Sequence, residues 1–240
     1  MVFRDNSGRV INYGNRWADE TQSQRESSYE MVTHPERFSP LHTVATALSD
    51  YLISTYDVTV EEGYSVTTDL LHPPPAGETV KAVRLTPNRE GCASLVLIQT
   101  DFPGVLLYAG VLFNEVLPSC GCDGCDESWE DCADDLEWET FAIVNGNLTE
   151  EIGKRRPPKL SYSRGIGFVK GLGQPVSYQL RSSDGDSEAG EQSRAKDLPK
   201  PMLKNARNQL KALERVSPDG NWLPWPKLGP ATHGGSTALD

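Results

Sequence analysis

Two apolar runs, residues 93–100 and 105–113, dominate the middle of the chain. They are short, rich in Val and Leu, and almost uninterrupted by polar residues, which is typical of strands covered on both faces. Between them, Phe102-Pro103-Gly104 places Pro and Gly at the central positions of a type II turn. The sequence therefore predicts a buried antiparallel hairpin around which the fold is built.

One long amphipathic helix is predicted before this hairpin in the sequence, and a second is predicted after it. Ser39-Pro40 supplies an N-cap and a favoured first residue for a helix that ends by residue 57. A second helix is predicted over residues 127–144, with Asp126 as its N-cap. Its apolar stripe comprises Trp129, Cys132, Ala133, Leu136, Thr140 and Ile143. Each helix therefore has one face to bury against a sheet.

The fold class that follows is α+β, in two layers. We expect a mostly antiparallel sheet of about five or six strands with the two long helices on one face. Further strands are predicted at residues 80–86, and a strand pair at residues 162–168 and 176–180. A partly disordered C-terminal tail completes the chain.

Composition divides the chain into three parts. Residues 1–28 are polar and aperiodic and predict a flexible lead-in, whereas residues 29–181 carry the α+β core domain. Residues 182–240 are assigned to a linker, a short basic amphipathic helix, and an end rich in Trp and Pro. In that end, Trp222 and Trp225 are expected to pack on the domain or on a partner.

Charge is distributed unevenly along the chain. The net charge is −11, but residues 1–150 carry −17 and the remainder +6. Ten carboxylates and no basic residue lie in the stretch 115–139. This surface repels phosphate backbones, so the sequence disfavours nucleic acid as a partner and favours a basic protein. The absence of a long apolar run or an N-terminal leader predicts a cytoplasmic protein with no membrane partner.

The chemistry of the sequence is concentrated in one cluster of cysteines. Cys120, Cys122 and Cys125 lie within six residues, separated by glycines that let the backbone turn sharply. Thiolates are soft metal ligands, and nearby carboxylates favour a cation over an anionic iron–sulfur cluster. The sequence therefore predicts a structural zinc site, with Cys132 as a candidate fourth ligand. Cys132 also lies on the apolar stripe, where a cysteine is a small hydrophobic residue.

Two alternatives to a metal site remain open. In the first, the cysteines are reduced residues of a tight turn; in the second, Cys125 is a reactive thiolate beside the start of a helix. Neighbouring carboxylates oppose a thiolate, and no Lys, Arg or His is adjacent in the sequence to activate it. No catalytic residue is assigned, so the prediction leans towards a protein that is not an enzyme.

Four segments together resemble a known family. They are residues 34–38, 100–104, 120–127 and 222–226, of which 120–127 has the pattern C-G-C-D-x-C-D-E. They are similar to an uncharacterised actinobacterial family, a domain of unknown function. The resemblance implies a bacterial cytoplasmic protein, and it supplies no activity, cofactor or catalytic residue.

Overall fold

The structure is a computed structural model that describes residues 2–5, 7–18, 22–153, 159–163, 166–170, 175–181, 187–194 and 198–229. The helices are α1 (Gln22–Glu26), α2 (Pro40–Thr55), α3 (Trp129–Val144) and α4 (Lys200–Val216). The first strands are β1 (Phe3–Arg4), β2 (Val10–Ile11), β3 (Val58–Glu62), β4 (Thr79–Pro87), β5 (Leu95–Thr100), β6 (Val105–Ala109) and β7 (Phe113–Leu117). The later strands are β8 (Leu148–Ile152), β9 (Lys159–Ser163), β10 (Ile166–Lys170), β11 (Pro175–Arg181) and β12 (Ser187–Arg194).

The central feature is a five-stranded antiparallel sheet in the order β3-β4-β5-β6-β7. Alternate residues of β5 face two different cores. Leu95 and Leu97 join the cluster that contains α2 and α3, whereas Val96 and Ile98 pack beneath the loop around Val66. The predicted α+β class is thus confirmed. Among the described helices, none has both the length and the apolarity needed to cross a bilayer.

The predicted hairpin is present as β5 and β6, with Leu97 opposite Leu107 in the register. The predicted type II turn is wrong, because Gly104 does not have the positive φ that such a turn requires. Instead, the Thr100 N–H donates to the Gly104 carbonyl over 3.1 Å and closes a five-residue loop.

The apolar run 105–113 does not form one strand. It divides at Gly110, which has a φ of 56°, and the chain reverses into β7. The next three backbone N–H groups, those of Val111, Leu112 and Phe113, all donate to the carboxylate of Glu150 on β8. A buried acceptor from a distant strand therefore stabilises the turn.

The two long helices contact each other and close one side of the central sheet. Ser39 does not act as the predicted N-cap of α2, since its backbone is itself helical and its side chain makes no capping hydrogen bond. Helix α3 begins at Trp129 with Ser128 as N-cap, whose Oγ accepts from the Asp131 N–H. Asp126, the predicted cap, lies outside the helix with a φ of 60°.

A second, three-stranded sheet has the order β12-β11-β8. The strand pairing predicted for this region is wrong. Strand β9 pairs with β10, whereas β11 pairs with β8 and β12. The glycines at 171 and 173, on which that prediction depended, lie outside the described residues. Strand β12 falls in the segment assigned to a linker, and the boundaries at 28 and 181 remain predictions.

The C-terminal residues of the described chain pack back on the core. Helix α4 buries Leu203, Ala206 and Leu213 and turns its basic residues outward. Trp222 and Trp225 are both buried in the main cluster. The indole N–H of Trp222 donates to Glu150 and that of Trp225 to the Ala93 carbonyl, each over 2.8 Å. The Trp-Pro segment therefore packs on the domain.

Candidate metal centre

The loop between β7 and α3 brings three thiols together. The Sγ atoms of Cys120, Cys122 and Cys125 all lie within 4.8 Å of one another. Those of Cys120 and Cys122 are 3.2 Å apart. Cys122 is buried and the other two are half-buried, and all three are free thiols. This is the group that the sequence spacing predicts.

The glycines of this cysteine loop (residues 120–127) are needed for close packing. A Cβ added to Gly121 would overlap the Phe102 ring, and one added to Gly124 would lie 2.7 Å from the ring of Tyr29. Two aromatic rings can therefore press directly against the loop backbone and cover it.

Glu127 closes the loop by binding its first residues. One carboxylate oxygen accepts from the Cys120 N–H at 2.6 Å, and the other accepts from the N–H and hydroxyl of Ser119 at 3.1 and 2.7 Å. The Cys125 N–H in turn points at the Cys122 sulfur over 3.3 Å. These bonds hold the three cysteines in a compact turn without using their sulfurs for covalent bonds.

Asp123, between the second and third cysteines, is fully buried. Its carboxylate accepts from the Thr33 hydroxyl at 2.7 Å and from the Thr33 N–H at 3.2 Å. The guanidinium groups of Arg16 and Arg37 lie 3.5 and 3.7 Å from it. The Asp123 carboxylate is thus engaged by the N-terminal part of the chain and is not free to act as a metal ligand.

The carbonyl groups of the loop are also bonded to that part of the chain. Arg37 donates to Gly121 O over 2.9 Å, Trp17 donates to Asp123 O over 3.1 Å, and Arg25 donates to Gly124 O over 3.1 Å. Sequence reasoning missed these residues, because nothing in their spacing links them to a loop about 100 positions away.

The environment of each thiol sets its acidity. Burial raises the pKa of Cys122, but hydrogen bonds from Cys120 and from the Cys125 N–H outweigh burial and bring that pKa below its ordinary value. The opposite holds for Cys125, whose hydrogen bonds to Cys120 and Cys122, together with burial, raise its pKa to about 12. Of these two, Cys122 is the thiol that ionises more readily.

The structure does not place Cys125 where a helix dipole would lower the pKa of its thiol. A helix dipole acts only within the first turn, and Cys125 lies four residues before the start of α3 at Trp129. A thiol with a pKa of about 12 is protonated at neutral pH.

Cys132 is not part of the three-sulfur group found among the described residues. It lies on α3, 3% exposed, in the main hydrophobic cluster with Ala133 and Leu136. Burial, followed by the nearby carboxylate of Glu127, raises the pKa of Cys132 to about 12. In this position it behaves as a core residue. Trp129, on the same stripe, is only half-buried and packs against the edge of the core.

Comparison with known proteins gives a family but no activity. A family model described as a family of unknown function (DUF6226) matches residues 1–228. Neither a curated protein nor a solved structure matches the chain.

Proposed function

We propose that this chain, which belongs to the family of unknown function DUF6226, is a non-catalytic domain in which Cys120, Cys122 and Cys125 bind a structural zinc ion beside an acidic interaction surface. The observation that carries the proposal is the convergence of the three sulfurs within 4.8 Å. An actinobacterial source and a cytoplasmic location are expectations that accompany it.

The sulfur positions are compatible with a tetrahedral ion. With a Zn–S bond of about 2.3 Å, two ligand sulfurs lie about 3.8 Å apart. The Cys120–Cys122 distance of 3.2 Å and the upper limit of 4.8 Å bracket that value. The sulfur separations are therefore close to those of ligands around a single zinc ion.

Charge also supports a divalent cation. Three thiolates and one zinc ion together carry a single negative charge, and the guanidinium groups of Arg16 and Arg37 lie 3.5 and 3.7 Å from the Asp123 carboxylate of the same loop, whose charge they offset. Thiolate sulfur selects soft or borderline metals such as zinc over calcium or magnesium. The three cysteines are the minimal site, and a fourth bond from Cys132 would require its thiol to leave the core.

The acidic surface follows directly after the proposed site. Helix α3 exposes the carboxylates of Glu130, Asp131, Asp134, Asp135 and Glu137. Such a surface favours a basic protein partner and disfavours nucleic acid. A structural zinc ion would fix the start of the helix that presents these carboxylates.

Native mass spectrometry of protein purified under reducing conditions tests the proposal. We expect about one zinc ion per chain, its loss in Cys122→Ser, and its retention in Cys92→Ser, which alters a half-buried cysteine outside the loop. The variant Cys132→Ala distinguishes a site with three cysteine ligands from a site in which Cys132 is the fourth. Retention of zinc in that variant indicates three cysteine ligands, whereas its loss makes Cys132 the fourth. Metal-free protein whose melting a strong chelator does not change would refute the proposal.

A further inference from the structure

The N-terminal part of the chain surrounds the cysteine loop. We call its described residues 13–18 and 22–37 the N-terminal clamp. Besides the side-chain contacts already given, the Asp123 N–H donates to Met31 O over 2.7 Å and the Gly124 N–H donates to Ser28 O over 3.0 Å. The clamp therefore binds the backbone of the segment between the second and third cysteines.

Asp126 adds a second attachment on the other side of Cys125. Its carbonyl accepts from the Gly14 N–H at 3.1 Å and its carboxylate accepts from the Arg16 N–H at 2.7 Å. Asp126 is buried and holds a positive φ of 60°, a conformation that costs free energy in a residue other than glycine. Contacts with the clamp offset this cost, so Cys125 is held between two anchored residues.

We infer that Asp123 is a positioning residue through which docking of the N-terminal clamp and metal binding at the cysteine loop stabilise each other. The inference rests on the proposed zinc site. Asp123 is held by Thr33, Arg16 and Arg37, and it lies one residue after Cys122 and two before Cys125. A clamp that fixes Asp123 fixes the separation of the two cysteines, and an ion that fixes the cysteines presents Asp123 to the clamp.

Thermodynamic linkage makes this coupling reciprocal. If docking of the clamp raises zinc affinity by some factor, zinc raises the docking equilibrium by the same factor. Residues that orient metal ligands without touching the metal typically change affinity by about 10- to 100-fold. We expect a coupling in that range, observable both at the metal and at the clamp.

The experiment compares four forms of the full chain: wild type, Asp123→Asn, Thr33→Val, and the control Asp134→Asn, whose carboxylate is exposed on α3. Zinc affinity is measured by competition with a chromophoric chelator. Hydrogen exchange of the clamp amides is measured with zinc and without it, using the amides of β5 and β6 as an internal reference. If zinc only stabilised the fold as a whole, it would slow hydrogen exchange equally in the clamp and in β5 and β6.

We expect Asp123→Asn and Thr33→Val to weaken zinc binding by about 10- to 100-fold while Asp134→Asn leaves it unchanged. Zinc should slow exchange of the clamp by a similar factor beyond any change in β5 and β6. Equal zinc affinity in all four forms, with clamp exchange indifferent to zinc, would overturn the coupling and leave the zinc site intact. Failure of the wild type to bind zinc would overturn both. Should Asp123→Asn not fold, an unchanged affinity in Thr33→Val is enough to reject the coupling.

Discussion

The carboxylate of Glu150 offers the sharpest test of how the two sheets are joined. Its Oε1 accepts from Leu112 N at 2.6 Å and Phe113 N at 2.7 Å. Its Oε2 accepts from Val111 N at 3.0 Å and from the Trp222 indole N–H at 2.8 Å. Every partner is a donor, so the replacement Glu150→Gln places an amide NH₂ where an acceptor is needed.

The cost of this replacement can be worked from these contacts. The glutamine keeps the two shorter bonds by presenting its oxygen to Leu112 and Phe113, and its NH₂ then opposes the indole of Trp222. A buried donor left without an acceptor costs about 1–3 kcal/mol, and loss of the charge weakens the remaining bonds. Burial raises the pKa of Glu150 against the effect of these donors, which shows that burying the charge itself costs free energy. Removing the charge therefore restores part of the lost stability. We expect a net destabilisation of about 2 kcal/mol.

Urea unfolding followed by circular dichroism measures this effect. The matched control is Glu151→Gln, because Glu151 is the next residue of β8 and is exposed. Surface substitutions of this kind change the free energy of unfolding by no more than about 0.5 kcal/mol. The midpoint should fall for Glu150→Gln and stay in place for Glu151→Gln, with the urea dependence unchanged in both.

A double-mutant cycle with Trp222→Phe isolates the indole contact. Phenylalanine removes the N–H that opposes the new amide, so Trp222→Phe should cost less in the Glu150→Gln background than in the wild type, by about 1 kcal/mol. Equal midpoints for Glu150→Gln and Glu151→Gln, or strict additivity in the cycle, would contradict the proposed role of the carboxylate.

Two further predictions concern the cysteines. Because the pKa of Cys125 is about 12, its thiol must lose a whole proton to bind zinc. The logarithm of the apparent zinc association constant should therefore rise with pH between 6 and 8 by at least about one per pH unit, and competition titrations showing no pH dependence would exclude Cys125 as a ligand. Cys132, with its pKa raised to about 12 by burial, should be alkylated by iodoacetamide more slowly than Cys120 in native protein, which peptide mass spectrometry can follow; equal rates would show that its thiol is accessible.

Local sequence was sufficient for the elements whose signals are periodic. The spacing of apolar residues located α2 and α3, and the Pro-Gly pair between two apolar runs located the β5–β6 hairpin. In each case the deciding interactions lie within a few residues of one another along the chain. The caps were assigned less well, because Ser39 and Asp126 have suitable side chains but backbone conformations set by their surroundings.

Long-range polar contacts account for the largest error in the sheet. Gly110 is the one turn-favouring residue in the apolar run 105–113, and its presence alone does not place a reversal there. The chain reverses there because Glu150, 38 positions after Leu112, accepts the N–H groups that the turn exposes. Without that carboxylate the buried N–H groups of the turn would need another acceptor.

The candidate site, too, could be predicted from the sequence only in part. Spacing predicted that Cys120, Cys122 and Cys125 can converge, because they lie within six residues and the two glycines between them permit a sharp turn, and the structure brings their sulfurs together. Spacing could not decide the place of Cys132, which depends on how α3 packs, nor reveal that Arg37 and Thr33 hold the loop from 80 or more positions away.

Two buried carboxylates organise the ends of this fold. Asp123 binds Arg16 and Thr33 from the N-terminal side, whereas Glu150 binds Trp222 from the C-terminal side. Each carboxylate would lose donors if its remote partner were absent, and a buried charge with too few partners is strongly destabilising. Composition and apolar periodicity assign residues 29–181 to the core, but these contacts also involve Arg16 and Trp222, which lie outside that range. The N-terminal clamp and the segment that carries Trp222 therefore each supply donors to a buried carboxylate on a distant part of the chain, Asp123 in the cysteine loop and Glu150 on β8.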